Sequence, residues 1–145
     1  MSDSFNLLQS HRTDTPQVVI KSNLVADNKE FVIGVPRTSG INPASKGNNM
    51  TIIEDGFINC AIPAIDTHLD TTPERLFVID ELGYLESSCI PFQKAVEKLL
   101  DNSHVLAVIR KQSTEFLNRI CNRKDVLVID IDNTFETLSC IIMAF

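Results

Sequence analysis

Residues 76–86 read LFVIDELGYLE, an apolar run that stops at two adjacent carboxylates, Asp80 and Glu81. Four apolar residues without alternation need cover on both faces, which is typical of buried parallel strands in α/β proteins. Ligands in such folds bind beyond the carboxyl ends of the strands. The run therefore predicts a buried strand that carries Asp80 and Glu81 to the edge of a binding site.

Beyond residue 76, apolar strands alternate with segments of helical periodicity. After Pro91, apolar residues recur at helical spacing and predict a helix that ends near residue 102. The remaining predicted elements are strands at 105–109 and 126–131, a helix between them capped by Ser113, and a last helix that begins with a capping box of Asn133 and Glu136. Strand–helix repeats of this length predict right-handed crossovers. The predicted fold class is therefore α/β, with a mainly parallel sheet and flanking helices.

The first 75 residues lack this alternation. Apolar segments at 18–20 and 31–33 flank a polar turn and predict an antiparallel β-hairpin. A loop rich in Gly, Pro, Ser and Asn follows at 38–49, and then come extended apolar segments at 50–53 and 57–62, separated by a turn at 54–56. Because 145 residues fit one domain, we expect a single α/β domain. It has an irregular β-hairpin part, 1–75, and a β–α repeat part, 76–145.

The composition excludes several classes of protein. Hydrophobic residues make up 43% of the chain and charged residues 22%, as in soluble globular proteins. The net charge of −6 and the lack of a basic stripe argue against a nucleic-acid partner. No apolar run approaches the roughly 20 residues of a membrane span, and the first residues lack the pattern of a signal peptide. We therefore expect a cytoplasmic protein with neither a nucleic-acid nor a membrane partner.

The cysteines do not predict a metal site. Cys60, Cys89, Cys121 and Cys140 are widely spaced, and no Cys-x-x-Cys pair occurs. Structural zinc sites use ligands that are a few residues apart. We therefore expect reduced, mostly buried thiols.

A longer match surrounds the two carboxylates. The segment from 77 to 100 resembles the signature of the small nucleoside-triphosphatase family known as cancer-related or thermophile nucleoside-triphosphatases. That signature is an apolar strand, then Asp-Glu-Ile/Leu-Gly-x-Met/Leu-Glu, a few small residues, and a helix that begins with Phe. The residues that match it in order are Asp80, Glu81, Leu82, Gly83, Leu85, Glu86 and Phe92. The similarity continues through the later strands, so that it covers residues 76–133.

The resemblance implies a P-loop NTPase fold, Mg²⁺ as cofactor and a nucleoside triphosphate as ligand. In that family type, Asp80 would hold the Mg²⁺ and Glu81 would orient or deprotonate the attacking water. If the sheet is parallel, Arg110 and Lys111 meet the same edge and would clamp phosphate oxygens. Asp130 and Asp132 end the next strand and would lie beside them. Without the resemblance, the residues fit a second interpretation equally well. The charged side chains would then lie at the strand ends only because the chain leaves the core there and the charges are solvated.

The sequence also departs from the family. A P-loop of the form GxxxxGK[ST] cradles phosphates in its members, and this chain contains no Gly-Lys dipeptide. Residues 5–12 resemble the tail of the helix that follows such a loop, and Thr134 stands where relatives tend to have Arg. We therefore expect a truncated or degenerate relative that is inactive alone. The alternative is a non-catalytic binding or interaction protein on a remnant of the fold.

A second motif points to different chemistry. Residues 130–134 read DIDNT and match the DxDxT motif of haloacid-dehalogenase-type phosphatases, in which the first Asp is the nucleophile. That family draws its other acids and a lysine from well over a hundred later residues, whereas eleven residues follow Thr134. A motif without its required context is weak evidence. We therefore interpret this segment as a strand end followed by a helix cap.

Overall fold

The computed structural model describes residues 5–12, 18–22, 29–36, 50–131 and 139–144. Its strands are β1 (Phe5–Arg12), β2 (Val18–Ser22), β3 (Lys29–Pro36), β4 (Met50–Ile52), β5 (Phe77–Leu82), β6 (Val105–Arg110), β7 (Val126–Ile131) and β8 (Ser139–Ala144). Its α-helices are α1 (Glu54–Gly56), α2 (Ile62–Thr71), α3 (Ile90–Asn102) and α4 (Glu115–Cys121). A π-helical turn (Phe57–Ala61) joins α1 to α2, and a 3₁₀ turn (Glu86–Ser88) precedes α3.

These strands form one sheet in the order β4-β3-β2-β1-β5-β6-β8-β7. The α/β class is confirmed, but the sheet is mixed, because the described strands form only two parallel pairs, β1 with β5 and β5 with β6. The strands β1 to β4 pair in antiparallel fashion, and β8 lies antiparallel between β6 and β7. Since β6 and β7 both oppose β8, they run in the same direction. The carboxyl ends of β5, β6 and β7 therefore share one edge of the sheet.

Residues 54–71 are helical, so the predicted turn at 54–56 and the extended segment at 57–62 are wrong. The buried residues of this stretch recur at helical spacing, as in Phe57, Ala61, Ala64 and Ile65. The helical stretch begins close to β3, since a Cβ on Gly56 would lie 2.7 Å from the carbonyl oxygen of Val32. A residue without a side chain is needed for that approach.

The helices around the β5 strand follow the sequence more closely. In α3, Phe92, Val96 and Leu99 are fully buried and Leu100 nearly so, and a proline occupies the first turn, as predicted. The N-cap of α4 is Thr114 and not Ser113, because the Thr114 hydroxyl accepts a hydrogen bond from the Leu117 N–H at 3.2 Å. The core thus lies on the helices' inner faces against the central strands.

Both ends of the described chain differ from expectation. Residues 5–12 form a strand that pairs in parallel with β5, and not the tail of a helix; Phe5 lies opposite Phe77, and the register shifts between Asn6 and Leu8. The predicted hairpin is confirmed by the antiparallel pairing of β2 and β3. Residues 139–144 form a strand where a helix was expected, while Asn133, Glu136 and the loop at 38–49 lie outside the described residues.

Within the described ranges, no helix is long and apolar enough to cross a membrane.

Candidate functional site

The strand β5 brings its two carboxylates to the shared carboxyl edge. Asp80 pairs with Val108 of β6 and is exposed, whereas the side chain of Glu81 is only 20% exposed. The apolar run that precedes them is buried at Phe77 and Ile79. A buried strand therefore fixes the position of two acids at the surface, as the sequence predicted.

Basic residues at the end of β6 contact acids at the end of β5, which pairs with β6, and at the end of β7, which lies beyond β8. The guanidinium of Arg110 lies against the Glu81 carboxylate through Nε and Oε1. The Lys111 ammonium contacts Asp130 at the end of β7. The structure thus brings Asp80, Glu81, Arg110 and Lys111 together with Asp130, with two acids from β5, two bases from the end of β6 and one acid from β7. Asp132 lies outside the described residues.

The turn after β5 is held by a buried carboxyl group, Glu86. The Gly83 N–H donates to Glu86 Oε2 at 2.8 Å, and the Ser87 hydroxyl donates to the Gly83 carbonyl at 2.7 Å. Ser87 also lies 2.8 Å from the Thr114 hydroxyl at the start of α4. These bonds tie the turn to the cap of α4 and so restrain the backbone beside Glu81.

Burial raises the pKa of Glu86 to about 7. The backbone hydrogen bonds from Glu86 and Gly83 oppose this shift, because they favour the charged form, whereas the nearby Glu81 carboxylate adds to it. The sequence matched Glu86 to the family signature but assigned it no role. Its spacing of three residues from Gly83 is the signal that could have indicated a side-chain-to-backbone bond across a turn.

Gln112, which follows β6, lies close to Gly83 in the turn after β5. The sequence did not indicate this residue. An added Cβ on Gly83 would lie 3.4 Å from Glu86 Oε2, 3.5 Å from Arg110 Cδ and 3.7 Å from Gln112 Oε1. The Gln112 oxygen is buried and has no hydrogen-bond partner among the described residues. An unpaired buried acceptor is costly, so a donor that reached it would be held firmly. No sequence motif marks this residue, since its burial depends on how the chain bends after β6.

The acidic edge could hold Mg²⁺ only together with ligands from outside the protein, such as phosphate oxygens and water. The described part of the chain holds no group of three or more His, Cys, Asp or Glu side chains that could bind a metal ion by themselves. Mg²⁺ commonly binds proteins through one or two carboxylates and takes its other ligands from phosphates and water. The exposed carboxylate of Asp80 suits that arrangement, because it is an oxygen ligand at the strand edge.

Comparisons with known proteins indicate a family. A family model described as NTPase matches residues 21–139. The chain is 38% identical to the nucleoside-triphosphatase THEP1 of Thermotoga sp. (strain RQ2) over 58 residues, which are 39% of this chain and 33% of that protein. It is 36% identical to the THEP1 protein of Thermotoga maritima, with the same coverage. It is 35% identical to that of Thermotoga petrophila over 60 residues, 41% of this chain and 34% of that protein.

The extent of these matches differs between the two comparisons. The matched region spans about a third of the length of the curated relatives. No solved structure matches the chain significantly. The family model, by contrast, covers well over half of the 145 residues and includes the β5 strand with its acidic end. The chain therefore belongs to the NTPase family, a P-loop family of nucleoside-triphosphatases.

Proposed function

We propose that the chain carries the acidic and basic half of a nucleoside-triphosphate site at the carboxyl edge of β5, β6 and β7. The observation that carries the proposal is the contact of Arg110 with Glu81, beside the exposed Asp80. Ligands of α/β sheets bind beyond this edge, and phosphoryl transfer is catalysed mainly by positioning and by charge. The similarity to proteins named nucleoside-triphosphatase supports a nucleoside triphosphate as the ligand.

The two carboxylates take different roles in this proposal because their surroundings differ. Asp80 is exposed and would hold the Mg²⁺ of a Mg²⁺-nucleotide. When bound, that ion neutralises charge on the phosphate oxygens. Glu81 is mostly covered and would position the attacking water. One residue thus serves the ligand's phosphates and the other serves the water.

The basic residues would change partners when a ligand binds. Arg110 contacts Glu81, and Lys111 contacts the more exposed Asp130, whose side chain is 66% exposed. An ion pair at the surface contributes only about 0–1 kcal/mol, so a phosphate oxygen can replace the exposed Asp130 at little cost. The Arg110–Glu81 pair is largely covered, so a phosphate oxygen would have to take the place of Glu81 as the partner of Arg110. Transfer of Arg110 to a phosphate would free Glu81 for the water. We therefore expect the two ion pairs to describe the site without its ligand.

Binding should be weak, because the chain offers no GxxxxGK[ST] cradle for the phosphates. We expect Mg²⁺-ATP or Mg²⁺-GTP at millimolar concentration to raise the melting temperature of the wild type by a few degrees. A ligand at several times its Kd adds about 1 kcal/mol to stability, which is about 2–4 °C for a protein of this size. Asp80→Asn should reduce this shift. The measurement is a thermal melt across a magnesium and nucleotide titration, with sodium salts matched for ionic strength.

Asp70→Asn is the matched control, since it removes one exposed carboxylate from α2, away from the strand ends. It should melt with the same nucleotide-dependent shift as the wild type. Equal shifts in the wild type and in Asp80→Asn would mean that the acidic edge binds nothing specific, and the proposal would fail.

We further expect the 145-residue chain alone to hydrolyse ATP or GTP at a negligible rate. A phosphate cradle supplies backbone N–H groups and a lysine charge for the β- and γ-phosphates, and a well-placed water does not replace them. The measurement is phosphate release with Mg²⁺ present. Release at ordinary NTPase rates by the wild type, abolished in Glu81→Gln, would contradict this expectation.

The same ion pairs favour one alternative, a non-catalytic binding protein on the NTPase fold. Each basic residue at the edge already has an acidic partner, Glu81 for Arg110 and Asp130 for Lys111. In a protein that does not hydrolyse nucleotides, these two ion pairs would simply stabilise the edge of the sheet. The thermal melts distinguish the two functions, because a purely structural edge gives no magnesium-dependent shift.

A further inference from the structure

The strand β7 lies at the end of the sheet. Among the described strands it has β8 on one side and no neighbour on the other. Its pairing with β8 runs in unbroken register from Val126 to Ile131, without a bulge. β7 also contains neither proline nor glycine. It thus lacks the devices that usually protect an edge strand from pairing with another chain, apart from the charge of Asp130.

The side chains of β7 are exposed although they are apolar. Leu127 is 50% exposed, Val128 is 38% exposed and Ile129 is 42% exposed. Successive residues of a strand point to opposite faces, so both faces of the strand present apolar surface. An apolar strand with an unbroken register and an open edge is a template for adding a further strand.

We propose that β7 pairs in antiparallel fashion with β7 of a second copy, about a two-fold axis at Leu127. In this pairing, Leu127 lies opposite Leu127 of the other copy. Val126 lies opposite Val128, so that apolar residues face each other across the centre of the new ladder, and Ile129 lies next outward, opposite Asp125. A two-fold interface uses the same patch on both copies, and this strand is self-complementary in that sense.

The charges at the two ends of β7 support this register. Lys124 lies in the turn before the strand, and Asp130 lies near the strand's end. Next to Lys124, Arg123 donates hydrogen bonds to Asp125 at 2.5 and 2.9 Å and to Asp101 at 2.7 Å, so that the guanidinium is already paired within its own chain. Antiparallel pairing about Leu127 brings Lys124 beside Asp130 of the other copy, twice per dimer. Asp130 also contacts Lys111 of its own chain through one carboxylate oxygen, and its side chain remains 66% exposed for a second contact. A pairing centred one residue later would set Asp130 against Val126 and lose this match of charges.

The test uses the register, because directly opposed residues of antiparallel strands have Cα atoms about 4.5–5.5 Å apart. That separation suits a disulfide, so mild oxidation of Leu127→Cys should give a covalent dimer. Ile129→Cys is the matched control, since four residues of strand would separate the two thiols by about 14 Å. Ile90→Cys, which is 57% exposed on α3, measures random collision. The unmodified protein gives the background from the native thiols.

A dimer band in Leu127→Cys well above the wild type and both controls supports the proposal. Equal cross-linking of Leu127→Cys and Ile129→Cys, or none in either, overturns it.

Sedimentation gives an independent result. The wild type should dimerise as its concentration rises, whereas Leu127→Lys should stay monomeric because like charges face each other. Ile90→Lys should behave as the wild type. A wild type that is monomeric at all concentrations also overturns the proposal. Far-UV circular dichroism confirms that each variant is folded.

Discussion

Leu99→Ala is expected to lower the free energy of unfolding by about 2–5 kcal/mol, through lost burial and the cavity that remains. Leu99 is fully buried in α3, and it shares the core with Val96 and with Ile79 of β5. The helix therefore covers the core behind the strand that carries Asp80 and Glu81. Urea denaturation of the wild type and the variant, analysed as two-state unfolding, measures the difference.

Ile90→Ala is the matched control, since it shortens an aliphatic side chain of the same helix that is 57% exposed. We expect a change within about 0.5 kcal/mol, the usual range for surface positions. If Leu99→Ala lowered the free energy of unfolding by less than about 0.5 kcal/mol, α3 would not be part of the core. It could then not support the strand that carries the acidic edge.

The second large effect is a pH dependence of stability that comes from Glu86. Its pKa is raised from 4.5 to about 7 in the folded protein, mainly by burial. A raised pKa in the folded state means that the stabilising contribution of the neutral form is complete below about pH 4.5 and is lost as the pH rises through 7. The loss over this interval is on the order of 3 kcal/mol, at 1.36 kcal/mol per pKa unit.

The measurement is the free energy of unfolding of the wild type minus that of Glu86→Gln, from pH 4.5 to pH 7. We expect this difference to fall as the pH rises, because the amide cannot ionise. Burial lowers the pKa of His68, and the contribution of this residue cancels in the difference because both proteins contain it. Glu115→Gln, which removes an exposed carboxylate, should follow the wild type. Parallel curves for the wild type and Glu86→Gln would show that Glu86 is not buried as described.

The expected loss of stability has a consequence for the site. Glu86 accepts the Gly83 N–H and lies in the electrostatic field of Glu81 and Arg110. Ionisation of Glu86 would add a second negative charge behind Glu81, which raises the cost of keeping both carboxylates charged. We therefore expect binding at the edge and folding of the turn to depend on the same carboxyl group.

The sequence by itself determined the elements whose signal is local. The apolar run of β5 and the helical spacing of α3 are complete within a dozen residues, and both are present as predicted. The strands β6 and β7 were predicted for the same reason. The acids of the candidate site also belong to this class, because a motif fixes Asp80 and Glu81 without reference to the rest of the chain.

The tertiary structure decided what depends on distant partners. Short apolar runs fit a helix or a strand equally well, so residues 57–62 became helical where Phe57 packs against Phe92 of α3, and residues 5–12 became a strand beside β5. The antiparallel insertion of β8 between β6 and β7 is likewise a matter of long-range pairing. The same holds for the site: the contact of Glu81 with Arg110 joins residues on two strands, and the shifted pKa of Glu86 exists only once the folded chain has removed it from water.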